Sequence, residues 1–405
     1  MSADLNLNRL LGEAKRHDVA CILLSNDYAD RHGKYEVLAG FGAEKEWLSP
    51  EGLNMDEDLL LGFCSYELKN SFERLDSLHP AVLDVPDFYF FKPQLHFRKG
   101  RDGEIITNFP DQVETTDLSF SPAGSLDFKS KTTVEQYLKN VNRIKDCIVR
   151  GDFYEMNYCL EFTAAGEFDP FAVFFRLNQK SPAPFAAFFK YHDRYLLCSS
   201  PERFLAKRGE KLISQPIKGT RRRKGLNDDA VVEELRKNEK DRAENVMIAD
   251  LVRNDLSRIC KPGTVVVDEL CEVYSFSHVH QMISTVSGEL NENTGFAEIL
   301  KATFPMGSMT GAPKIQVMQD IEKFENFRRG WYSGSIGYIA RGNFDLNVVI
   351  RSLQLKKDEN QLHYHVGGAI TIDSIPEDEY QECLHKAAGM IQALTTEGNQ
   401  ASSNL

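Results

Sequence analysis

The chain has 405 residues, 42% of them hydrophobic and 26 of them Phe, enough apolar material for one large domain or two. Its formal charge of −12 is spread along the sequence, which argues against a nucleic-acid binder but allows an anionic small molecule in one locally positive pocket. The eight cysteines lie far apart with no CxxC pair, no basic-then-apolar leader opens the chain, and no run of about 18 apolar residues occurs, so a cytoplasmic protein without membrane contact is expected.

In the first third, ACILLS from Ala20 and DFYFFKPQLHF from Asp87 read as strands. Residues 97–131, with RKGRDGE and SPAGS, read as turns and a surface connection. A helix is predicted next: Thr132 and Thr133 form capping-box pairs with Glu135 and Gln136, Tyr137, Val141, Ile144 and Ile148 recur at helical spacing, and Gly151 ends it. PFAAFFK, RYLLCSS, ERFLAKR and KLISQPI, with turns at His192-Asp193 and Gly209, form a meander of antiparallel strands. A long helical block then runs from about Asp228 to Ile259 and stops at Lys261-Pro262-Gly263. Another helix starts near Pro313, a second meander spans SGSIGYIA, FDLNVVIRSLQL and QLHYHVGGAIT, and a last helix opens at Pro376 and continues to about Leu394. Meanders with helices between them give an α+β fold, not a parallel doubly wound sheet. A single domain is expected, with residues 1–130 completing the sheets, 132–395 carrying the motifs and 396–405 forming a mobile tail.

Several stretches carry chemistry. Glu379 and Glu382 in PEDEYQECLHKA are three apart and project from one helical face, either as a solvated acidic helix start or as ligands. Glu244 in DRAENVMIADL shares a face with Ile248 and Leu251, and a carboxylate there needs a partner, which an arginine or a metal could supply. Should Glu244 meet Glu379 and Glu382, a cation must sit among them, and hard oxygen donors suit Mg²⁺. PMGSMTGAPK is a small-residue loop running into a helix, either an anion site or a tight turn. The glycine pair in HVGGAIT permits close approach of a ligand, or a bulge. Arg351, inside an apolar strand, is either in a buried ion pair or clamps a carboxylate. Glu202 in SPERF and Lys218 in SQPIKGTRRR read alone as a hairpin acid and a snorkelling strand lysine.

Taken together and in this order, SPERF, PIKGT, DRAENVMIADLVRNDL, FPMGSMTGAPK, WYSGSIGY and VGGAITIDSIPEDEYQE resemble the chorismate-utilising enzyme family over about residues 132–395. The resemblance implies two orthogonally packed mixed or antiparallel sheets flanked by helices, a four-layer α/β/β/α body. It implies Glu244 and Glu382 as Mg²⁺ ligands with Glu379 beside them, the ion holding the C1 carboxylate of chorismate. Tyr332, Arg351 and the Gly367–Gly368–Ala369 backbone would grip the enolpyruvyl carboxylate. Ser308 and Thr310 would line the small-residue loop, Gly219 and Thr220 would flank the substrate beside Lys218, and Glu202 would be the general acid or base near the C4 hydroxyl.

Two positions bear on the branch. Water-adding members carry lysine in the motif resembling GDFYEMN and ammonia users usually carry glutamine; here the residue is Glu155. Members that aminate C2 carry a small residue where this chain has Lys218. Chorismate is open to attack at C2, with the C4 hydroxyl as leaving group through the conjugated system. A lysine that takes C2 first sends ammonia to C4, the branch that leads to 4-aminobenzoate. Lys218 must then be neutral part of the time, a state that desolvation, Mg²⁺ and the neighbouring arginines are expected to favour. Amination at C2 and a non-catalytic chorismate-binding partner are the alternatives. Histidine is common in the family where Gln281 aligns, with His278 and His280 nearby. No GxCxG elbow is present, so ammonia is expected from a separate glutaminase subunit. CILLSND lies where relatives bind tryptophan.

Overall fold

The computed structural model describes residues 6–81, 83–109, 127–223, 225, 228–276 and 279–394; the expected tail, half of the 97–131 connection and His278 fall outside these. Every strand pairing among the described residues is antiparallel, so the mixed pairing allowed by the resemblance does not occur. The pairings form one continuous ladder. From Glu155–Ala165 it passes through Gln361–Ile370, Ser352–Lys356, Arg194–Ser200, Phe185–Tyr191, Val19–Leu24 and Tyr35–Trp47 to Phe88–Gly100. It continues through Leu60–Cys64, Ser335–Ala340, Asn343–Asn347, Arg203–Arg208, Lys211–Gln215 and Val279–Glu289 to Val266–Ser275.

Period-2 alternation folds this ladder into two layers. Ala20, Ile22 and Leu24 pack with the helices Leu7–Lys15, Val134–Arg150, Pro170–Lys180 and Pro376–Leu394. Their neighbours Val19 and Cys21 turn the other way and meet Leu61, Phe63, Tyr89 and Phe91 in a second core between the layers. Leu60, Phe88 and Phe90 then face outward onto the helices Glu239–Ser257 and Phe296–Thr303. The order helix, sheet, sheet, helix is the α+β body that the resemblance implies. Each fully buried Phe in these cores contributes about 1.5–3 kcal/mol.

Local signals explain most element ends. Thr133 accepts the Gln136 N–H as N-cap, and Gly151 closes the helix in the left-handed region at φ +85°. The block expected from Asp228 to Ile259 is two helices, Asp228–Lys237 and Glu239–Ser257. Asn238 leaves helical geometry and its side chain accepts the Asp241 N–H, capping the second helix, which apolar periodicity alone does not reveal. No described helix is long and apolar enough to cross a membrane.

Candidate active site

A cleft of about 790 Å³ is walled by strand Ile217–Arg222, strand Gln361–Ile370 and the helices Glu239–Ser257 and Pro376–Leu394. Lys218, Gly219, Thr220, Glu202, Ser308, Tyr332, Arg351, Gly367, Gly368, Ala369, Glu244, Glu379 and Glu382 line it, and of the residues to which the resemblance gave a place in the site one does not. The exception is Thr310, fully buried, whose hydroxyl donates to the Met306 carbonyl at 3.1 Å instead of facing a ligand. Its place is structural: its carbonyl accepts the Asn157 N–H at 2.7 Å and docks the small-residue loop on strand Glu155–Ala165. Ser308 of the same loop does reach the cleft.

A buried pair supports this floor. Arg329 meets Glu325 at 2.6 Å and donates to the carbonyls of Met309 at 2.7 Å and Asn157 at 2.9 Å, while Glu325 accepts the Cys159 N–H at 2.9 Å. Loop and strand are thereby tied to one charge pair, and removing either partner costs about 3–5 kcal/mol. The sequence FENFRRG carried these residues without distinguishing them from surface charges.

Lys218 enters the cleft through a backbone irregularity. Its strand shifts register against Val279–Glu289 between Ile217 and Thr220, and Gly219 sits there at φ +80° with Asp241 and Leu235 each 3.0 Å from where a Cβ would be. Lys218 Nζ donates to Glu155 Oε1 at 3.1 Å, and Glu155 is fully buried. Burial opposes the ammonium, yet Glu155, Glu244 and Glu202 outweigh it and raise the Lys218 pKa above its ordinary value. This corrects the expectation of a favoured neutral amine. Arg221 is taken up by Asp241 and Glu234, and Arg223 by Asp228, while the carboxylates around Lys218 hold its proton on.

Glu202 stands at the start of strand Arg203–Arg208, with its N–H on Ser200 Oγ at 3.2 Å and its carbonyl accepting the Val348 N–H at 3.0 Å. Burial pushes its carboxyl up to about 7; the Ser308 hydroxyl, Lys218, the Ile217 N–H and Arg351 pull the other way. Arg351 adopts φ +49°, and its guanidinium makes no hydrogen bond or ion pair among the described residues. Burial lowers its pKa, with only Tyr28 and Glu202 opposing. Near it, Tyr332 stacks on His365 with centroids 5.1 Å apart. His365, missed in the sequence, is held neutral by burial, its pKa falling to about 3, and its Nδ1 meets Gln354 Nε2 at 3.1 Å.

Glu244, Glu379 and Glu382 all line the cleft. Gly368 makes room for the last two: a Cβ there would lie 3.2 Å from Glu379 Oε2 and 3.9 Å from Glu382 Oε1. Gly367 lies against Tyr158, whose carbonyl would be 2.6 Å from a Cβ. Lys240 Nζ stands 3.3 Å from Glu379 and 3.9 Å from Glu244, and Lys386 pairs with Glu382 at 2.7 Å. Burial pushes Glu244 up to about 7, with Lys218 drawing it down and Glu155 adding to the rise. Among the described residues no three acidic, histidine or cysteine groups are gathered into a metal cage. Mg²⁺ does not need one, since it binds through one or two carboxylates, water and substrate oxygens. The donors fit it in kind, and Lys240 already places a positive charge between Glu244 and Glu379.

Strand alternation separates Gln281 from His280. Gln281 faces the cleft, its Nε2 3.4 Å from Thr220 Oγ1, whereas His280 turns away to Ser275 Oγ at 2.8 Å.

A family model described as chorismate binding enzyme matches residues 16–392. Aminodeoxychorismate synthase component 1 of Bacillus subtilis is 34% identical over 82% of this chain and 76% of its own. Anthranilate synthase component 1 of Thermus thermophilus is also 34% identical, over 83% of this chain and 77% of its own. The crystal structure of anthranilate synthase component I from Streptococcus pneumoniae superposes with a TM-score of 0.73 at 29% identity, covering 82% of this chain and 80% of that one. With the sheet, the cleft and its carboxylates already in place, these matches establish that the chain belongs to the chorismate-binding enzyme family.

Proposed function

We propose that this enzyme aminates chorismate at C4, giving 4-amino-4-deoxychorismate for 4-aminobenzoate and folate synthesis, with ammonia from a separate glutaminase subunit. The observation that carries the reading is Lys218, a largely shielded amine that lines the cleft and is hydrogen-bonded to Glu155. A small residue there would leave C2 to ammonia; a lysine occupies C2 first. In the first step neutral Lys218 forms a bond to C2, the diene electrons shift, and the C4–O bond breaks. Glu202 supplies the proton that turns the departing hydroxyl into water, a role suited to a carboxyl lifted to about 7. In the second step ammonia bonds to C4, the electrons shift back, and the C2–N bond to Lys218 breaks.

The unpaired Arg351 is suited to the enolpyruvyl carboxylate, with Tyr332 and the Gly367–Gly368–Ala369 backbone around it. Glu244, Glu379 and Glu382 would hold Mg²⁺, which when bound supplies positive charge for the C1 carboxylate. The glutaminase partner is in keeping with relatives named as a component 1.

The equal identity to an anthranilate synthase component 1 keeps C2 amination as the second reading. Incubation with chorismate, Mg²⁺ and an ammonium salt, followed by product identification, separates the two. 4-Amino-4-deoxychorismate is expected, and anthranilate as the main product would sink the C4 reading.

A further inference from the structure

We propose that Glu155 is the proton acceptor that converts the Lys218 ammonium into the attacking amine, a catalytic role that rests on the C4 reading. Among the described residues Glu155 is the one carboxylate within hydrogen-bond distance of Lys218 Nζ, at 3.1 Å. The other acids facing the lysine have other partners or tasks. Glu244 shares Lys240 with Glu379, Glu382 pairs with Lys386, and Glu202 carries the proton for the leaving hydroxyl.

The surroundings of Glu155 fit a proton acceptor better than a structural counter-ion. It is fully buried, and only Oε1 is engaged; Oε2 has no hydrogen-bond partner among the described residues. A structural carboxylate in this protein looks different: Glu325 spends both oxygens on Arg329 and accepts a backbone N–H as well. The Glu155 backbone is also fixed. Ala312 and Gly311 pair with Glu155 and Met156, and a Cβ at Gly311 would lie 2.1 Å from the Glu155 carbonyl oxygen. The carboxylate is therefore held beside Nζ without being saturated.

The protons balance over the cycle. Lys218 gives one proton to Glu155, and its lone pair forms the bond to C2 while Glu202 protonates the departing hydroxyl. The adduct nitrogen is then a secondary ammonium, so it leaves as a neutral amine when ammonia bonds to C4. Glu155 returns its proton to that amine, the ammonium formed at C4 gives one proton back to Glu202, and Lys218, Glu155 and Glu202 are all restored. Glutamine, usual here in ammonia-using relatives, could accept the lysine hydrogen bond but could not take the proton, so the step assigned to Glu155 is a departure of this chain from that pattern.

The test compares wild type, Glu155→Gln and Glu155→Asp by product identity, kcat, chorismate binding by titration calorimetry, and rapid-quench intact mass for a Lys218 adduct. Glu155→Gln is expected to bind chorismate within about threefold of wild type and to lose about 100-fold or more in kcat and in adduct formation. Glu155→Asp should form the adduct more slowly than wild type but faster than Glu155→Gln. Glu155→Gln with kcat within threefold of wild type overturns the role. Should Glu155→Gln fail to fold, as its thermal melt would show, adduct formation in Glu155→Asp at the wild-type rate overturns it instead. Wild type making the C4 product while Glu155→Gln stays fast removes only Glu155; wild type making anthranilate removes the reading beneath it.

Discussion

Lys218 and Arg351 both reach the cleft from positions shielded from water, but the lysine is hydrogen-bonded to Glu155 at 3.1 Å while the arginine has no ion pair among the described residues. Three carboxylates, Glu155, Glu244 and Glu202, hold the proton on Lys218, whereas burial alone dominates at Arg351 and makes its charge costly. A cation already matched by protein has little to gain from an anionic ligand; an unmatched one gains a full charge-assisted pair when a carboxylate arrives. On the proposed reading the difference separates their tasks: Lys218 is the reagent kept in check by its neighbours and Arg351 the receptor completed by substrate.

Removing the reagent should break the comparison most severely. Lys218→Ala is expected to lower kcat by about 10³-fold or more while leaving chorismate affinity within a few-fold, because a covalent step is lost and a binding contact is not. Steady-state rates beside calorimetric titration measure both quantities. Equal losses in kcat and affinity would make Lys218 a binding residue like Arg351.

The receptor should fail in the opposite sense. Arg351→Gln removes a bidentate charge-assisted contact worth about 2–3 kcal/mol, roughly a 30- to 150-fold rise in KM, with kcat changed far less. Initial rates over a wide chorismate range decide it. A collapse of kcat at unchanged KM would put Arg351 on the reacting centre.

How far each cation could be foreseen differs, and the reason is physical. The helix over 134–150, the hairpins inside the two expected meanders and the last helix follow from periodicity, caps and turn residues, all of which act within a few positions. The meanders themselves do not form, because Arg194–Ser200 pairs with Ser352–Lys356 and Arg203–Arg208 with Asn343–Asn347. Lys218, Glu202 and Glu244 each had a plain structural reading alone, and only their joint order with the other motifs gave them roles. The partners remained hidden because they are distant in sequence. Glu155 lies 63 residues before Lys218, and Lys240 lies 139 before Glu379. Hence the expected neutral Lys218 does not hold: composition shows three adjacent arginines but not the acids that take up Arg221 and Arg223. Thr310 was misplaced for a related reason, since a hydroxyl in a small-residue loop can serve a ligand or its own backbone, and here it serves the Met306 carbonyl.

Glu202 feels both cations, and its titration gives the mildest and most diagnostic effect. Burial lifts its carboxyl to about 7 against the pull of Ser308, Lys218 and Arg351. A general acid works only while protonated, so kcat should hold below about pH 7 and fall above it, approaching tenfold per pH unit. Glu202→Gln cannot ionise; its residual activity should be lower throughout and should lack that descending limb. A limb that persists in Glu202→Gln would assign the titration to another group. Lys218 could not produce it, because loss of its proton raises the amount of free amine and would make the rate climb with pH. The sign of the limb therefore distinguishes the acid from the nucleophile it stands beside.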